Sequence, residues 1–206
     1  PLRIEMDSLN LRPLVGIMAD STLMGGVLAG NVILQNYTQE NPAFTGDFSI
    51  RDLTVMDILI GNLNAKAANQ SADNIVAEAT LKSAQNDVKL SGNYLLKSKT
   101  PLNLTLDIRR MGMQTVEAFS LGELRRTRGS LAGKATIKGA IDKPQIDGSV
   151  TFDSVSFNVT QLGATYRINN SRLQFKGSDI LLQKFVVSDT LNRPLQIDGK
   201  INIDKI

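Results

Sequence analysis

The sequence predicts a mainly β fold in which two short helices interrupt an extended sheet. The first observation is the alternation of apolar and polar residues in runs such as Leu102–Ile108, which is the period of a strand with one apolar face. The second is that glycines stand singly at the ends of such runs, where turns need them. The third is an internal repeat of about 100 residues, which indicates two tandem units.

The composition excludes most enzyme classes. The chain has 206 residues, of which 42% are hydrophobic, so it can build a substantial core. It has neither cysteine nor histidine, which removes disulfides, thiol nucleophiles, the Ser–His–Asp triad and the commonest transition-metal ligands. We therefore predict no enzyme, no catalytic residues, no metal site and no cofactor.

The charges argue against nucleic-acid binding. The chain carries 23 basic and 20 acidic residues, and the basic residues are spread along it instead of being concentrated in one patch. The exception is Arg125, Arg126 and Arg128. We predict no nucleic-acid partner.

The repeat divides the chain into units 1–104 and 105–206. Gly26–Gly30 is matched by Gly129–Gly133, and further matches follow in the same order along both units. We expect the two units to form one continuous, elongated module. Since the sequence starts at Pro1 with no signal-peptide pattern, we expect the chain to be a fragment of a larger protein.

The apolar alternation changes phase at the same place in both units. The slip falls at Arg51–Asp52 in the first unit and at Asp153–Ser154 in the second. One extra residue at each slip keeps the apolar side chains on one face of the sheet. We predict a β-bulge or a tight bend at both places.

Each unit is predicted to contain one short helix. The first helix runs from Pro13 to about Met24, where glycines end it, and the second runs from about Met111 to Thr127. The side chains that we expect to pack on the apolar face of the sheet are Leu14, Ile17, Val116 and Phe119.

The arginine cluster lies at the carboxyl end of the second predicted helix. There Arg125, Arg126 and Arg128 would complement the helix dipole. A phosphate-binding patch is the alternative interpretation of the same residues.

Strands with an apolar face leave two architectures open. The sheet can pack against a second layer as a closed sandwich, or it can curl and leave its apolar face as a lined groove. The alternation alone does not decide between them.

The second unit also shows a recurring order of glycines and aliphatic residues. In order it reads Gly129-x-Leu131-x-Gly133-x-Ala135-x-Ile137-x-Gly139, Pro144-x-x-x-Gly148-x-Val150-x-Phe152 and Leu195-x-Ile197-x-Gly199-x-Ile201. This order and spacing resemble the repeat of the TamB and AsmA-like family of diderm bacteria, in particular the C-terminal TamB-type domain. The resemblance implies an elongated, curled, amphipathic sheet, rich in antiparallel strands, that forms an open trough (a β-taco).

The same resemblance implies a non-enzymatic function. Such a trough would bind and conduct the acyl chains of phospholipids between the inner and outer membranes and so contribute to outer-membrane biogenesis. The chain would be the periplasmic part of an inner-membrane-anchored protein. Its partners would be phospholipid, an outer-membrane barrel protein of the TamA/BamA type, and the remainder of its own long chain.

Strand parity identifies the residues that would line the groove. Each of them lies on the apolar face of its own alternating run: Leu104, Leu106, Ile108, Ala135, Ile137, Val150, Phe152, Leu195, Ile197 and Ile201. The alternative function is a protein-binding scaffold that captures client strands at its sheet edges, by β-augmentation, during outer-membrane protein assembly.

Overall fold

A computed structural model describes residues 1–18, 23–36 and 43–202. Within these residues the chain forms thirteen strands, two α-helices and one 3-10 turn, Thr160–Leu162. The elements are, in order, β1 Leu2–Asn10, α1 Leu11–Met18, β2 Met24–Gln35, β3 Ala43–Val55, β4 Ile58–Ser71, β5 Asn74–Lys82, β6 Asn86–Leu95, β7 Leu102–Gly112, α2 Met113–Phe119, β8 Leu124–Gly139, β9 Pro144–Val159, β10 Ala164–Ile168, β11 Arg172–Gly177, β12 Asp179–Ser188 and β13 Pro194–Asn202.

All described strands belong to one antiparallel sheet. From β1 to β9 each strand pairs with the next one along the chain. The end of β9 then pairs with β10 and its beginning with β11, while β12 pairs with β10, β11 and β13. This mostly antiparallel, curled sheet with two helices confirms the predicted fold class. The boundary predicted between residues 104 and 105 falls inside β7, so both predicted units contribute to the same sheet.

Both predicted β-bulges are present. The pairing of β3 with β4 shifts after Ile50, where Asp52 has a φ of 51°, and the pairing of β9 with β8 shifts where Ser154 also has a φ of 51°. The backbone nitrogen of Asp52 donates a hydrogen bond of 2.9 Å to Oδ1 of Asn62 on β4. A neighbouring side chain thus satisfies the donor that the bulge removes from the ladder.

Helix α2 lies over one end of the strands and closes the sheet there. It contacts β4 on one side and β7 and β8 on the other, which shows that the sheet curls around it. Ala118 is fully buried against Leu53, Val55 and Ile60. On the other side, Met113 belongs to a larger cluster that also contains Val88, Ile108, Leu131, Val155, Ile168 and Phe185.

The second helix is shorter than predicted. It ends at Phe119, and the chain returns to a strand at Leu124, so the prediction of helix up to Thr127 is wrong. The reason is local: Leu121 and Gly122 have φ values of 51° and 90°, and this left-handed stretch ends a helix. As a consequence Arg125, Arg126 and Arg128 lie in β8, and their predicted interaction with a helix dipole is also wrong.

The first helix differs from its prediction as well. It begins at Leu11, upstream of Pro13, and Met24 lies in β2. Residues 19–22 of the predicted helix lie outside the described residues.

Two of the side chains predicted to pack on the sheet are exposed. Leu14 is exposed on α1, and Phe119 on α2 is 61% exposed, so both predictions are wrong. Val116 is half-buried against the larger core cluster, as predicted. The side chain of Ile17 lies outside the described part of the chain.

Candidate functional site

The registers of the strand pairs place apolar residues in continuous rows. A row is the set of directly paired residues that runs from strand to strand across the sheet, and paired residues point to the same face. The middle row crosses twelve strands. It consists of Met6, Gly30, Phe48, Ala65, Ala79, Leu90, Leu106, Ala135, Gly148, Phe175, Ile180 and Ile201. Every one of these residues is apolar, and Gly30 and Gly148 lie inside β2 and β9, so the expectation that glycines stand at the ends of the strands is wrong for them.

Two further apolar rows flank the middle row on the same face. The α2-side row lies toward α2 and contains Leu9, Leu28, Ile50, Leu63, Leu81, Val88, Ile108, Gly133, Val150 and Leu173. The open-side row contains Ile4, Val32, Gly46, Ala67, Ala77, Gly92, Leu104, Ile137, Ile146 and Gly177. Together the three rows form the surface that we call the apolar surface.

The opposite face of the sheet is polar. In each strand, the residue between the middle-row and open-side-row positions points to this opposite face. These residues form a row of their own: Glu5, Asn31, Asp47, Lys66, Glu78, Ser91, Thr105, Thr136, Asp147, Lys176, Asp179 and Asn202. Ion pairs cross between neighbouring strands on this face, for example Lys89–Glu78 at 2.7 Å and Lys134–Asp107 at 3.2 Å. The sheet therefore separates an apolar face from a charged face.

Burial on the apolar surface is deepest next to α2, and in the open-side row Ile4 is exposed while the other nine residues are half-buried. In the α2-side row, Val88 and Ile108 are buried in the core that α2 completes. In the middle row, Ala135 is buried, Ile201 is exposed and the other ten residues are half-buried. A core between two packed layers would bury these side chains almost fully. The middle and open-side rows are therefore an uncovered wall, and the closed sandwich is not the fold of this chain.

The registers bring the ten predicted lining residues to one face. Leu104 pairs with Ile137, and Leu106 pairs with Ala135. Of the remaining six residues, Ile201 lies in the middle row, and two, Ile108 and Val150, lie in the α2-side row. The other three extend past that row toward the α2 end through the pairs Phe152–Leu131, Ile197–Phe185 and Leu195–Val187. Their burial differs, since Ile108 and Ala135 are buried, whereas Leu195 and Ile201 are exposed.

None of the ten predicted residues lies on the wall formed by β1 to β6. A small apolar cavity of about 140 Å³ lies against this wall, and its lining includes Phe48, Ala65, Ala67, Ala77, Ala79 and Leu90 from the wall and Leu104 from β7. Small side chains leave the space that a larger aliphatic residue would fill. The alternation of Ala77 and Ala79 is visible in the sequence, but that it opposes Ala65 and Ala67 follows only from the register.

The carboxylates with shifted pKa values have structural roles. Hydrogen bonds from the Lys184 backbone nitrogen and the Gln196 amide lower the pKa of Asp198. A hydrogen bond from the side chain of Lys82 lowers the pKa of Asp87. These interactions join neighbouring segments of the sheet.

The described part of the chain has neither a candidate metal cluster nor a membrane-spanning helix. Residues 1–18, 23–36 and 43–202 contain no cluster of three or more potential metal-ligating acidic side chains. In the same residues no helix has the length and apolar character needed to cross a membrane.

These features define a class of protein: a single curled sheet whose concave wall is apolar and whose outer face is charged. Residues 76–205 match the family described as the TamB C-terminal domain, and this match covers more than half of the chain. The chain belongs to the TamB family. Searches of curated proteins and of solved structures found no match to it.

Membership of this family gives the general role of the chain. The family acts in outer-membrane assembly and lipid transport, and its C-terminal domain is a non-enzymatic translocation and assembly module. The chain is accordingly a protein of the diderm envelope.

Proposed function

We propose that the apolar surface binds the acyl chains of phospholipids and conducts them along the rows between the inner and outer membranes. The observation that supports this proposal is the middle row, which runs through twelve strands without a polar residue. At the usual strand spacing, twelve strands give an apolar path of roughly 50 Å along the sheet.

The energetics of acyl-chain binding fit such a surface. Moving one methylene group from water to an apolar environment stabilises it by about 0.8 kcal/mol. A chain that slides from one strand to the next exchanges one apolar contact for another, so it meets no barrier from polar groups that would have to be desolvated. The head group would remain in water beside the rows, because most residues of the middle and open-side rows are only half-buried.

The partial burial of the wall supports the binding of a ligand to it, and not only the packing of its own side chains. The middle-row side chains still present area that an acyl chain would cover, because only the α2 side is filled by the protein itself. In this proposal the ten predicted residues and the alanine-lined wall of β4 and β5 form the two sides of one path.

The cellular setting forms part of the proposal. The chain would act in the periplasm as part of an inner-membrane-anchored protein, and its partners would be an outer-membrane barrel protein of the TamA/BamA type and the remainder of its own long chain. Family membership supports this setting in general terms.

A strand-capturing scaffold is the second candidate function. Within the described residues β1 pairs only with β2, and β13 pairs only with β12, so each presents one edge to which an extended client strand could add. Such a scaffold needs free edges, whereas a conduit needs the uninterrupted apolar rows.

Photo-crosslinking in cells tests the conduit. Leu104 and Ile137 pair directly on the apolar face, and Thr105 and Thr136 pair directly on the polar face one residue away. We expect a photo-reactive amino acid at either apolar position to capture phospholipid, and one at either threonine not to do so. Capture at both faces alike, or at neither, would contradict the proposal. Capture of protein segments at β1 or β13 alone would favour the scaffold.

A further inference from the structure

The geometry points to a phosphate-binding site formed by Arg125 and Arg126 at the beginning of β8. We infer that it holds the phosphate of a phospholipid head group while the acyl chains lie on the apolar side chains next to the arginines. This inference rests on the proposed function and adds a specific site for the polar end of the cargo.

The three arginines of this segment form no ion pair with the described residues. Arg125, Arg126 and Arg128 are all exposed. Elsewhere on the sheet, cations pair across strands, as in Lys176–Asp147 at 3.5 Å. Three guanidinium groups in four consecutive residues repel one another, and a bound anion would relieve this repulsion.

A β-bulge in β8 sets the positions of Arg125 and Arg126 relative to β9. Arg125 pairs with Asn158, the next pairing is Arg128 with Ser156, and Arg126 between them has a φ of 53°. This left-handed conformation is costly for a long side chain, and such bulges re-aim side chains next to functional sites.

A neighbouring residue holds the bulge in place. Thr127, which is buried, donates hydrogen bonds to Oε2 of Glu117 from its backbone nitrogen at 2.9 Å and from its hydroxyl at 2.8 Å. The conformation of the arginine segment is therefore fixed by α2 before any ligand binds.

Both arginines line a cavity of about 610 Å³. Glu117 also lines it, which leaves two guanidinium groups against one carboxylate whose Oε2 already accepts the hydrogen bonds of Thr127. The planar guanidinium donates paired hydrogen bonds that match the geometry of phosphate oxygens.

The same cavity also has an apolar side. Met56 from the β3–β4 turn and Ile58 at the beginning of β4 line this side together with Leu124. Ile58 also packs against the core cluster of Leu53 and Ala118. A ligand with a phosphate at one end and hydrocarbon at the other matches both sides of the cavity.

Titration calorimetry with the purified chain tests this site. The ligands are dihexanoyl phosphatidylglycerol, dihexanoylglycerol without phosphate, and inorganic phosphate. We expect Arg125→Gln/Arg126→Gln to raise the Kd for dihexanoyl phosphatidylglycerol by about ten-fold or more, because charge-assisted hydrogen bonds are lost. The Kd for dihexanoylglycerol should stay unchanged. The control Lys138→Gln/Lys143→Gln removes two exposed charges at the other end of the β8–β9 pair and should change neither value.

Each possible result has a defined meaning. No loss of affinity in the arginine variant, or an equal loss in the lysine variant, would overturn the site. Equally tight, arginine-dependent binding of inorganic phosphate would overturn the lipid assignment, since the site would then take the free anion. If dihexanoylglycerol fails to bind the unaltered chain while arginine-dependent binding of dihexanoyl phosphatidylglycerol persists, the hydrocarbon contacts inside the cavity fail and the phosphate site stands; the acyl-chain surface itself is tested separately by the crosslinking at Leu104 and Ile137.

Discussion

The amide nitrogen of Asn86 donates a hydrogen bond of 2.7 Å to the hydroxyl oxygen of Thr115, and this contact joins β6 to α2. The same nitrogen donates to the carbonyl oxygen of Ile60 on β4 at 2.7 Å, and Oδ1 accepts from the backbone nitrogen of Gly112 at 3.0 Å. Asn86 is 2% exposed and Thr115 is 3% exposed. One side chain therefore attaches the helix to the closed side of the trough.

The first prediction concerns this attachment. Replacing Asn86 with alanine leaves the buried oxygen atoms of Ile60 and Thr115 without their donor, so we expect the free energy of unfolding to fall by about 2–4 kcal/mol. Urea denaturation followed by circular dichroism measures the change. Asn64→Ala, at an exposed position of β4, is the control and should change it by less than about 0.5 kcal/mol. A loss in Asn86→Ala as small as the one expected for Asn64→Ala would show that the attachment is unimportant.

The second prediction separates the two faces of α2. Phe119 is 61% exposed, whereas Met113 is 4% exposed in the larger core cluster. We expect Met113→Ala to cost about 2–5 kcal/mol of unfolding free energy and Phe119→Ala less than about 0.5 kcal/mol. The same denaturation experiment compares them. A larger cost for Phe119 would mean that α2 packs with the opposite face inward.

The third prediction concerns the uncovered wall. Ile137 is half-buried in the open-side row, so the guanidinium of Ile137→Arg can extend to water, and the chain should stay folded with a loss below about 2 kcal/mol. Val155 is 1% exposed in the core, and Val155→Arg should cost at least about 3 kcal/mol because it buries an unpaired charge.

Crosslinking completes the test of Ile137→Arg. The photo-reactive residue at Leu104, which pairs with Ile137, should lose its phospholipid capture in the folded variant. If Ile137→Arg unfolds the chain as Val155→Arg does, the wall is covered and the open trough is wrong.

The fourth prediction concerns acid stability. The pKa of Asp189 lies below its ordinary value of 3.8, chiefly because the backbone nitrogen of Arg193 donates a hydrogen bond to it, with further help from the Arg193 guanidinium and the Leu191 nitrogen. A lowered pKa in the folded state stabilises the fold above the unfolded value, and this contribution is lost as the pH falls through the folded value. The unfolding free energy of Asp189→Asn should therefore decrease less than that of the unaltered chain on acidification below about pH 4. Parallel acid dependence in both chains would contradict this.

Alternation within single strands made much of the fold predictable. Leu102–Ile108 has one apolar face because side chains alternate in any strand, and Asp52 and Ser154 mark the bulges because the phase of the alternation changes there. What the pattern does not contain is the register between strands. That Phe48 opposes Ala65, and Ala79 opposes Leu90, depends on turns and bulges far along the chain.

The prediction of a helix over residues 111–127 is wrong beyond Phe119, because the apolar spacing in this segment fits both a helix and a strand. Met113 and Val116 lie in a true helix, but Leu124, which continues the spacing, belongs to β8. Gly122 was the available signal, since a glycine with positive φ commonly follows the last helical residue. The cavity beside Arg125 and Arg126 could not be predicted while these residues were placed in a helix.

The rows run across the strands, whereas the length of each strand sets how many rows there are. The number of strands therefore sets the length of the trough, and the length of each strand sets its width. One additional hairpin would lengthen the path by about 10 Å and leave its width unaltered. If the proposed conduit is correct, duplicated hairpins would fit such a module to a wider gap between membranes, while the alternation within each strand would stay the same.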